Sequence, residues 1–389
     1  MVISGSFWKS DRCKMVNSLV SHVRSRHANR CANQIMNQGF RISDSDIVLP
    51  KAVLRNWSEQ LGRATLVPVR PGMSGARLYR CVGSNGGCLA LKRWPSDTGP
   101  NRIAEVHRVM TSARSNGCQL IPQVIAPRAD QYYASFVSCD GYCWDLVHWM
   151  PGQPLNACAD LAEIVSGATA ISQFHRSAAA LGRYSQVAPA IKERLSRLAE
   201  LHQRMDALTQ AATQIELESE LKVAVHRAGQ LFELKWNEIF AQMNQSLLVY
   251  AQQSVMTQFV MRDVHREHVL FSNGQPAGLI DFDALRVDSP AVDLARWVGR
   301  FDAYRRDPAG VWQAVLAGLN RQGSSSEGCW SKRDMTLAAA IAGVNPWISL
   351  ANWLEWLLID QRSFAGGLGA VSKRISELTD AAAQGVWVK

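Results

Sequence analysis

Carboxylates are concentrated in one otherwise apolar stretch of the chain, residues 259–298. Five aspartates stand there among Val, Leu and Ile: Asp263, Asp281, Asp283, Asp288 and Asp293. Carboxylates near the ends of apolar segments can orient an attacking hydroxyl, accept its proton or bind a divalent cation. A lone aspartate more often caps a turn or pairs with a nearby arginine. The group as a whole therefore favours a catalytic interpretation.

The elements that must position these side chains begin near residue 50. Three alternating segments separated by Gly-containing turns predict an antiparallel meander: ATLVPVR, ARLYRCV and CLALKRW. A helix is predicted over NRIAEVHRVMTSARSNG, because its apolar residues recur at helical spacing and it ends at Gly117. Two further strands are predicted: YYASFVSC and CWDLVHWM.

Long amphipathic segments replace this pattern after Pro151. Three helices are predicted there: LAEIVSGATAISQFHRSAAAL, AIKERLSRLAELHQRMDALTQ and ELKVAVHRAGQLFELKWNEIFAQM. Two short strands around the turn SNG follow, with helices again from about residue 291. We expect an α+β fold of two lobes, one β-rich at 49–150 and one larger and mainly helical at 151–389. We expect residues 1–48 to form a basic, disordered extension.

Composition limits the classes of protein that fit. The chain has 389 residues, 47% of them hydrophobic and 19% charged, which is typical of a globular protein. Much of the net charge of +9 lies within residues 1–34, where Phe7 and Trp8 precede the basic residues and no Phe, Trp or Tyr is interleaved among them. It resembles a flexible tail or a transit peptide, and we expect no specific nucleic-acid partner. No segment predicts a membrane anchor. The nine cysteines lack zinc spacing, which favours free thiols and a cytoplasmic protein.

The aspartate-bearing stretch resembles the catalytic region of the aminoglycoside phosphotransferase and choline kinase family, which has a protein-kinase-like fold. The family's His-Gly-Asp-x-His-x-x-Asn corresponds to MRDVHREH, with Asp263 and His265 at matching positions. Its Ile-Asp-Phe is intact around Asp281, and its Asp-Pro-Ala-x-Asp-Leu-Ala corresponds without a gap to SPAVDLA, which contains Asp293. The resemblance covers about residues 60–300.

The resemblance implies roles for three of the aspartates. Asp263 is expected to act as the base or to orient the acceptor hydroxyl, and Asp281 is expected to bind the metal on the triphosphate. Asp293 is expected to brace the catalytic loop from a neighbouring helix. Asp283 and Asp288 are expected to be solvated or to lie in turns.

The resemblance also implies a site for ATP. Lys92, on a predicted strand, is expected to hold the phosphates, and Glu105, on the next helix, is expected to hold Lys92 in place. The other candidates belong to a turn that covers the phosphates and to a hinge that passes the adenine: Gly72, Ser74, Gly75, Leu146 and His148. Each of these residues, taken alone, is more often part of an ordinary strand, helix or turn than of a nucleotide site.

Two departures from the family motif bear on activity. Met261 replaces its histidine, and His268 replaces the asparagine that supplies the second metal contact. Imidazole suits Mn²⁺ better than Mg²⁺, so His268 is either a ligand that shifts the metal preference or a packed strand-edge histidine. The expected activity is ATP-dependent phosphoryl transfer to a hydroxyl of a small molecule. The alternative is a catalytically impaired protein that binds nucleotide.

The acceptor is less well specified by the sequence. Apart from an acidic run at 216–221, the predicted helices carry no acidic cluster that would attract a polycationic aminoglycoside. The Trp-rich segment containing Trp347, Trp353 and Trp356 could wall a pocket for a sugar or a quaternary amine, although such a helix is usually part of a core.

Overall fold

The computed structural model describes residues 45–69, 75–83, 86–128, 135–214, 219–322, 330–362, 364 and 367–385. Residues 1–44, most of the expected extension, lie outside these ranges. The chain divides into two compact units. The first holds the described residues of 45–69, 77–93 and 125–149, and the second holds those of 70–76, 94–124 and 150–389.

The first unit is an antiparallel sheet with one helix, α1 (Ser45–Leu54). Its strands are β1 (Thr65–Pro68), β2 (Arg77–Val82), β3 (Cys88–Arg93), β4 (Val137–Cys139) and β5 (Tyr142–His148). They are arranged in the order β1-β2-β3-β5-β4, as the predicted meander requires. The core includes Leu54 at the end of α1, Trp57 in the turn that follows it, and Leu91 and Trp144 from the sheet, all buried. Helix α1 was not predicted, and it crosses the expected boundary at residue 48.

The second unit contains two small sheets among helices. One sheet has the order β10-β9-β6 and the other β11-β8-β7. The strands are β6 (Gln153–Pro154), β7 (Tyr184–Val187), β8 (Ser254–Val260), β9 (Val269–Ser272), β10 (Gln275–Leu279) and β11 (Arg286–Asp288). Strands β9 and β10 form the hairpin predicted around SNG, and its turn places Asn273 and Gly274 at positive φ. The aspartate-bearing stretch contributes strands to both sheets, β9 and β10 to one and β8 and β11 to the other.

Helices supply the rest of the second unit. They are α2 (Pro100–Ser115), α3 (Leu161–Ala178), α4 (Pro189–Gln214), α5 (Ser219–Leu248), α6 (Ala291–Val298), α7 (Asp302–Arg306), α8 (Pro308–Gln322), α9 (Lys332–Leu358) and α10 (Gly367–Ala383). Helix α2 was expected within the β-rich lobe but is grouped with this unit. Its Arg102 donates hydrogen bonds to the carbonyl groups of Asp283 and Leu285, which ties the helix to the aspartate-bearing segment.

Helix α9 forms part of the core of the second unit. By length and composition it could cross a membrane, but 67% of its most apolar window is buried. Trp347 and Trp353 are among the buried residues, and Trp347 packs edge-to-face against Phe232 of α5. These two rings therefore act as core residues and do not wall a ligand pocket.

Candidate functional site

Asp263 lies in the loop that follows β8, and a buried carboxylate fixes the backbone of that loop. Asp293, near the start of α6, accepts hydrogen bonds from the backbone N–H groups of Met261 at 2.8 Å and Arg262 at 2.7 Å. Asp293 is completely buried, so these bonds are shielded from water. The bracing role expected for Asp293 is confirmed.

A second residue completes this brace. The imidazole Nε2 of His175, on α3, donates to Asp293 Oδ2 at 2.8 Å, and Gln258 donates to the backbone carbonyl of His175 at 2.6 Å. The sequence analysis did not identify His175. No spacing rule could have connected it with Asp293, because the two residues are 118 positions apart.

The loop has an unusual backbone conformation at the residue before Asp263. Arg262 has φ 64°, a region that favours glycine, and it occupies the place of glycine in the family motif. Its guanidinium forms ion pairs with Glu193 and, at 3.3 Å, with Asp288. These contacts hold the side chain while the backbone stays strained.

Asp288 was expected to be solvated or in a turn, and this prediction is wrong. Its side chain is completely buried, and its Oδ1 accepts from the N–H groups of Ser289 at 2.8 Å and Ala190 at 3.2 Å. Burial raises the pKa of Asp288, while Ser289 and Arg262 oppose that shift. The sequence missed this burial because Asp288 is held by α4, which lies about a hundred residues earlier in the chain.

The Asp263 carboxylate presents one occupied oxygen and one available oxygen. Its Oδ1 accepts from His265 Nε2 at 2.9 Å and from Arg296, and the side chain is 40% exposed. Within the part of the chain that the structure describes, Oδ2 has no partner. Burial alone would raise the pKa of Asp263, but the hydrogen bond from His265 and the charge of Arg296 hold it well below its usual range. The group therefore stays ionised and can accept a hydrogen bond from a hydroxyl.

Arg296 was not singled out in the sequence, although a signal for it exists. It lies three residues after Asp293 on α6, so helical spacing places both on one side of that helix. Asp293 and Arg296 thus approach the loop that carries Asp263 from the same element.

His268 and Asp281 form the metal-binding candidate. His268 Nδ1 donates to the backbone carbonyl of Asp263 at 2.6 Å, which leaves the lone pair of Nε2 directed at Asp281 Oδ2, 3.4 Å away. Two acceptors that face each other are stabilised by a cation between them. Two ligands at ~2.1 Å from an octahedral ion are roughly 3.0 Å apart at right angles, close to this separation.

The residues present therefore fit a divalent cation. A backbone carbonyl that fixes the tautomer of a histidine ligand is the usual supporting arrangement at metal sites. No group of three or more His, Cys, Asp or Glu side chains is placed to hold an ion among the described residues. The protein would supply two ligands here, and water or phosphate oxygens would complete the shell.

The cofactor-binding candidates lie in both units. Lys92 is on β3, opposite Leu78 and Asp145 in the sheet register. Glu105, on α2, is paired with Arg102 at 2.6 Å. Gly75 has φ 76°, which explains a glycine there, whereas Gly72 and Ser74 lie outside the described residues.

The two hinge candidates lie on the last part of β5. The side chain of Leu146 is completely buried, and its backbone carbonyl accepts from the N–H of Ile125 at 2.8 Å. His148 is the last residue of β5, opposite Leu89.

Comparison with solved structures shows the fold. An aminoglycoside phosphotransferase from Alicyclobacillus acidocaldarius matches with a TM-score of 0.50 at 15% identity, over 89% of this chain and 95% of the other. A microcompartment-associated aminopropanol kinase matches with a TM-score of 0.55 at 15% identity, over 87% and 96%. An amicoumacin kinase in complex with AMP-PNP, Ca²⁺ and Ami matches with a TM-score of 0.54 at 11% identity, over 87% and 94%.

Comparison at the level of sequence gives the family. No curated protein matches the chain. The sequence profile of the phosphotransferase enzyme family matches residues 65–328, a segment that contains Lys92, Asp263 and Asp281. Because this match spans well over half of the chain, the protein belongs to the phosphotransferase enzyme family.

Proposed function

We propose that this protein transfers the γ-phosphoryl group of ATP to a hydroxyl of a small molecule in the cytoplasm. The observation that carries the proposal is the hydrogen bond from His268 Nδ1 to the carbonyl of Asp263, because it joins the metal-binding candidate to the catalytic loop. The similarity to a kinase solved with AMP-PNP and Ca²⁺ supports a nucleotide and a divalent cation. The six described cysteines are all free, which suits a reducing compartment.

Asp263 would orient the acceptor. The acceptor hydroxyl donates to Asp263 Oδ2, the new O–P bond forms, and the bond between the γ-phosphorus and the bridging oxygen of ADP breaks. Because the pKa of Asp263 is low, the proton leaves late, through Asp263 to solvent. Positioning is therefore its main contribution, which suits the loose transition state of phosphoryl transfer.

The remaining candidates would bind ATP. Asp281 and His268 would hold Mg²⁺ or Mn²⁺, which when bound neutralises charge on the triphosphate. Lys92 would hold phosphate oxygens, and Glu105 would have the role of bracing Lys92 that the family resemblance implies. The turn with Gly72, Ser74 and Gly75 would cover the phosphates, and backbone groups near Leu146 and His148 would contact the adenine.

A catalytically impaired nucleotide-binding protein is the second candidate. His268 in place of an amide and Met261 in place of a histidine favour it. Such a protein would bind ATP and transfer no phosphate.

Paired variants separate the two candidates. Asp281→Ala is expected to abolish metal-dependent binding of AMP-PNP, whereas Asp263→Asn is expected to retain binding and lose transfer by a factor of roughly 100 or more. Asp360→Asn, an exposed acid at the end of α9, is the control. Equal transfer rates for the wild type and Asp263→Asn would refute the role of Asp263. Nucleotide binding without turnover in the wild type, with every metal and acceptor tried, would favour the impaired protein.

A further inference from the structure

A cavity of about 160 Å³ opens in the second unit beside Asp263. His265 and Arg296, the two residues that contact the Asp263 carboxylate, both line it. Its other walls come from the 3-10 turn Arg266–His268 and from helices α6, α7, α9 and α10. A molecule in this cavity would lie next to the proposed hydroxyl-orienting group.

The walls of the cavity are rich in arginine. Five arginines line it: Arg266, Arg296, Arg300, Arg305 and Arg374. Three acidic side chains lie among them: Glu267, Glu377 and Asp380. The chain thus collects an excess of cations here, drawn from separate segments.

Contacts within the protein compensate this positive charge unevenly, since Arg296 is paired with Asp263 and Arg305 with Asp302 at 2.8 Å. Asp380 is paired at 2.6 Å with Arg227, a residue that does not line the cavity. Glu377 is only loosely paired, at 3.8 Å from Arg374 and 4.0 Å from Lys373. The three acids that line the cavity therefore balance only part of the charge of its five arginines.

Arg300 is the least satisfied of these residues. Its guanidinium has no hydrogen bond or ion pair with any other residue that the structure describes. Burial lowers the pKa of Arg300 well below its usual range, and the neighbouring charges of Arg374 and Arg296 lower it further, while the carboxylates of Asp263 and Glu267 oppose the shift. The Nε atoms of Arg296 and Arg305 are also buried without partners in the described chain. Donors that lack acceptors in a cationic pocket are suited to bind an oxyanion.

We propose that the acceptor carries an oxyanion, a carboxylate or a phosphate, besides the hydroxyl that receives the phosphoryl group. This inference rests on the proposed function. Arg300 and Arg374 hold the oxyanion, and Arg296 separates it from Asp263, where the hydroxyl lies. The cavity suits a small hydroxy acid or hydroxyalkyl phosphate. It disfavours a polyamine sugar or an amino alcohol, because cations line it and Trp347 and Trp353 are buried in the core.

Binding without nucleotide is the direct test, because it does not depend on turnover. The probes are glycerate, glycerol 3-phosphate, glycerol and ethanolamine. Each is titrated by calorimetry into the wild type, Arg300→Gln, Arg374→Gln and the control Arg321→Gln. Arg321 is an exposed arginine outside the cavity. We expect one or both anions to bind the wild type and the control. We expect binding to weaken about tenfold or more in each cavity variant. Binding of ethanolamine alone, or equal binding by all four proteins, would overturn the inference.

Thermal stability separates ligand binding from a structural role of Arg300. Removing an unpaired buried charge should leave the melting temperature unchanged or raise it, while the stabilisation by the anion is lost. A fall of several degrees without ligand would instead show that Arg300 holds the fold together, and would count against the proposal.

Transfer assays then distinguish failure of this inference from failure of the proposed function. Transfer to anionic alcohols that depends on Arg300 would support both. Transfer to an amino alcohol that is unaffected by Arg300→Gln would leave the kinase function standing and refute the anionic acceptor. If Arg300→Gln bound AMP-PNP more weakly and the wild type bound neither anion, Arg300 would be a nucleotide-binding residue. That result would also refute the anionic acceptor. Anion binding that depends on Arg300, with no transfer to any acceptor, would support the oxyanion site and count against the enzyme.

Discussion

His175 and Asp293 form a buried hydrogen bond of 2.8 Å between α3 and α6. The same carboxylate binds the N–H groups of Met261 and Arg262, so one buried acid links two helices to the loop that carries Asp263. The conformation of this loop therefore depends on a contact far from it in the sequence.

Asp293→Asn should destabilise the protein and misplace the loop. Asp293 receives three donors, and an amide would place its own NH₂ group against at least one of them. We expect the free energy of unfolding to fall by about 2–4 kcal/mol, measured by urea denaturation. His175→Gln keeps a donor and should cost less. If Asp293→Asn matched the wild type in stability, the brace would have no energetic importance.

Variants of Arg262 test the backbone strain at the residue before Asp263. Because its φ is 64°, Arg262→Gly should be more stable than Arg262→Ala by about 1 kcal/mol, the reverse of the usual order. Both variants lose the ion pairs with Glu193 and Asp288, so both should unfold at lower denaturant than the wild type. An alanine variant as stable as the glycine variant would show that the loop relaxes out of this conformation.

His268 should set the metal preference. Since Nε2 is directed at Asp281, His268→Asn should move the preference for metal–AMP-PNP from Mn²⁺ toward Mg²⁺, by roughly tenfold in the ratio of dissociation constants. Calorimetric titration with each metal measures this ratio. A change in melting temperature with an unchanged ratio would show that His268 only packs beside Asp281.

His265 should make stability depend on pH. Burial, helped by the charge of Arg300, lowers its pKa from the usual 6.5 to about 4, against the opposing hydrogen bond from Asp263. The unfolded chain then takes up a proton that the folded protein does not, so the free energy of unfolding falls as the pH drops through this window. We expect a fall on the order of 1–2 kcal/mol between pH 7 and pH 5 that is smaller in His265→Gln. The carboxylate of Asp263 contributes only at lower pH. Equal slopes for both proteins would show that His265 titrates normally.

The sequence by itself determined the main helices and strands and the part of the site that is local in sequence. The meander, α2, the hairpin of β9 and β10 and the long helices follow from periodicity and turn residues, which are local properties. Asp263, His268 and Asp281 lie within twenty residues of one another along a loop and its hairpin, so spacing alone could associate them. Helix α1 was missed because its apolar residues give no helical periodicity and Pro50 interrupts it.

Only the tertiary structure decided which distant residues support and surround that loop. The bond between His175 and Asp293, the burial of Asp288 beneath Arg262 and the arginines around Arg300 join segments that lie far apart in the chain. From the sequence alone, each of these side chains would be predicted to be a solvated charge. A sequence pattern indicates which face of an element is apolar, but it does not indicate what packs against the polar residues of that element. Their burial, partners and charge balance arise when the helices pack, and these contacts carry the inference about the acceptor.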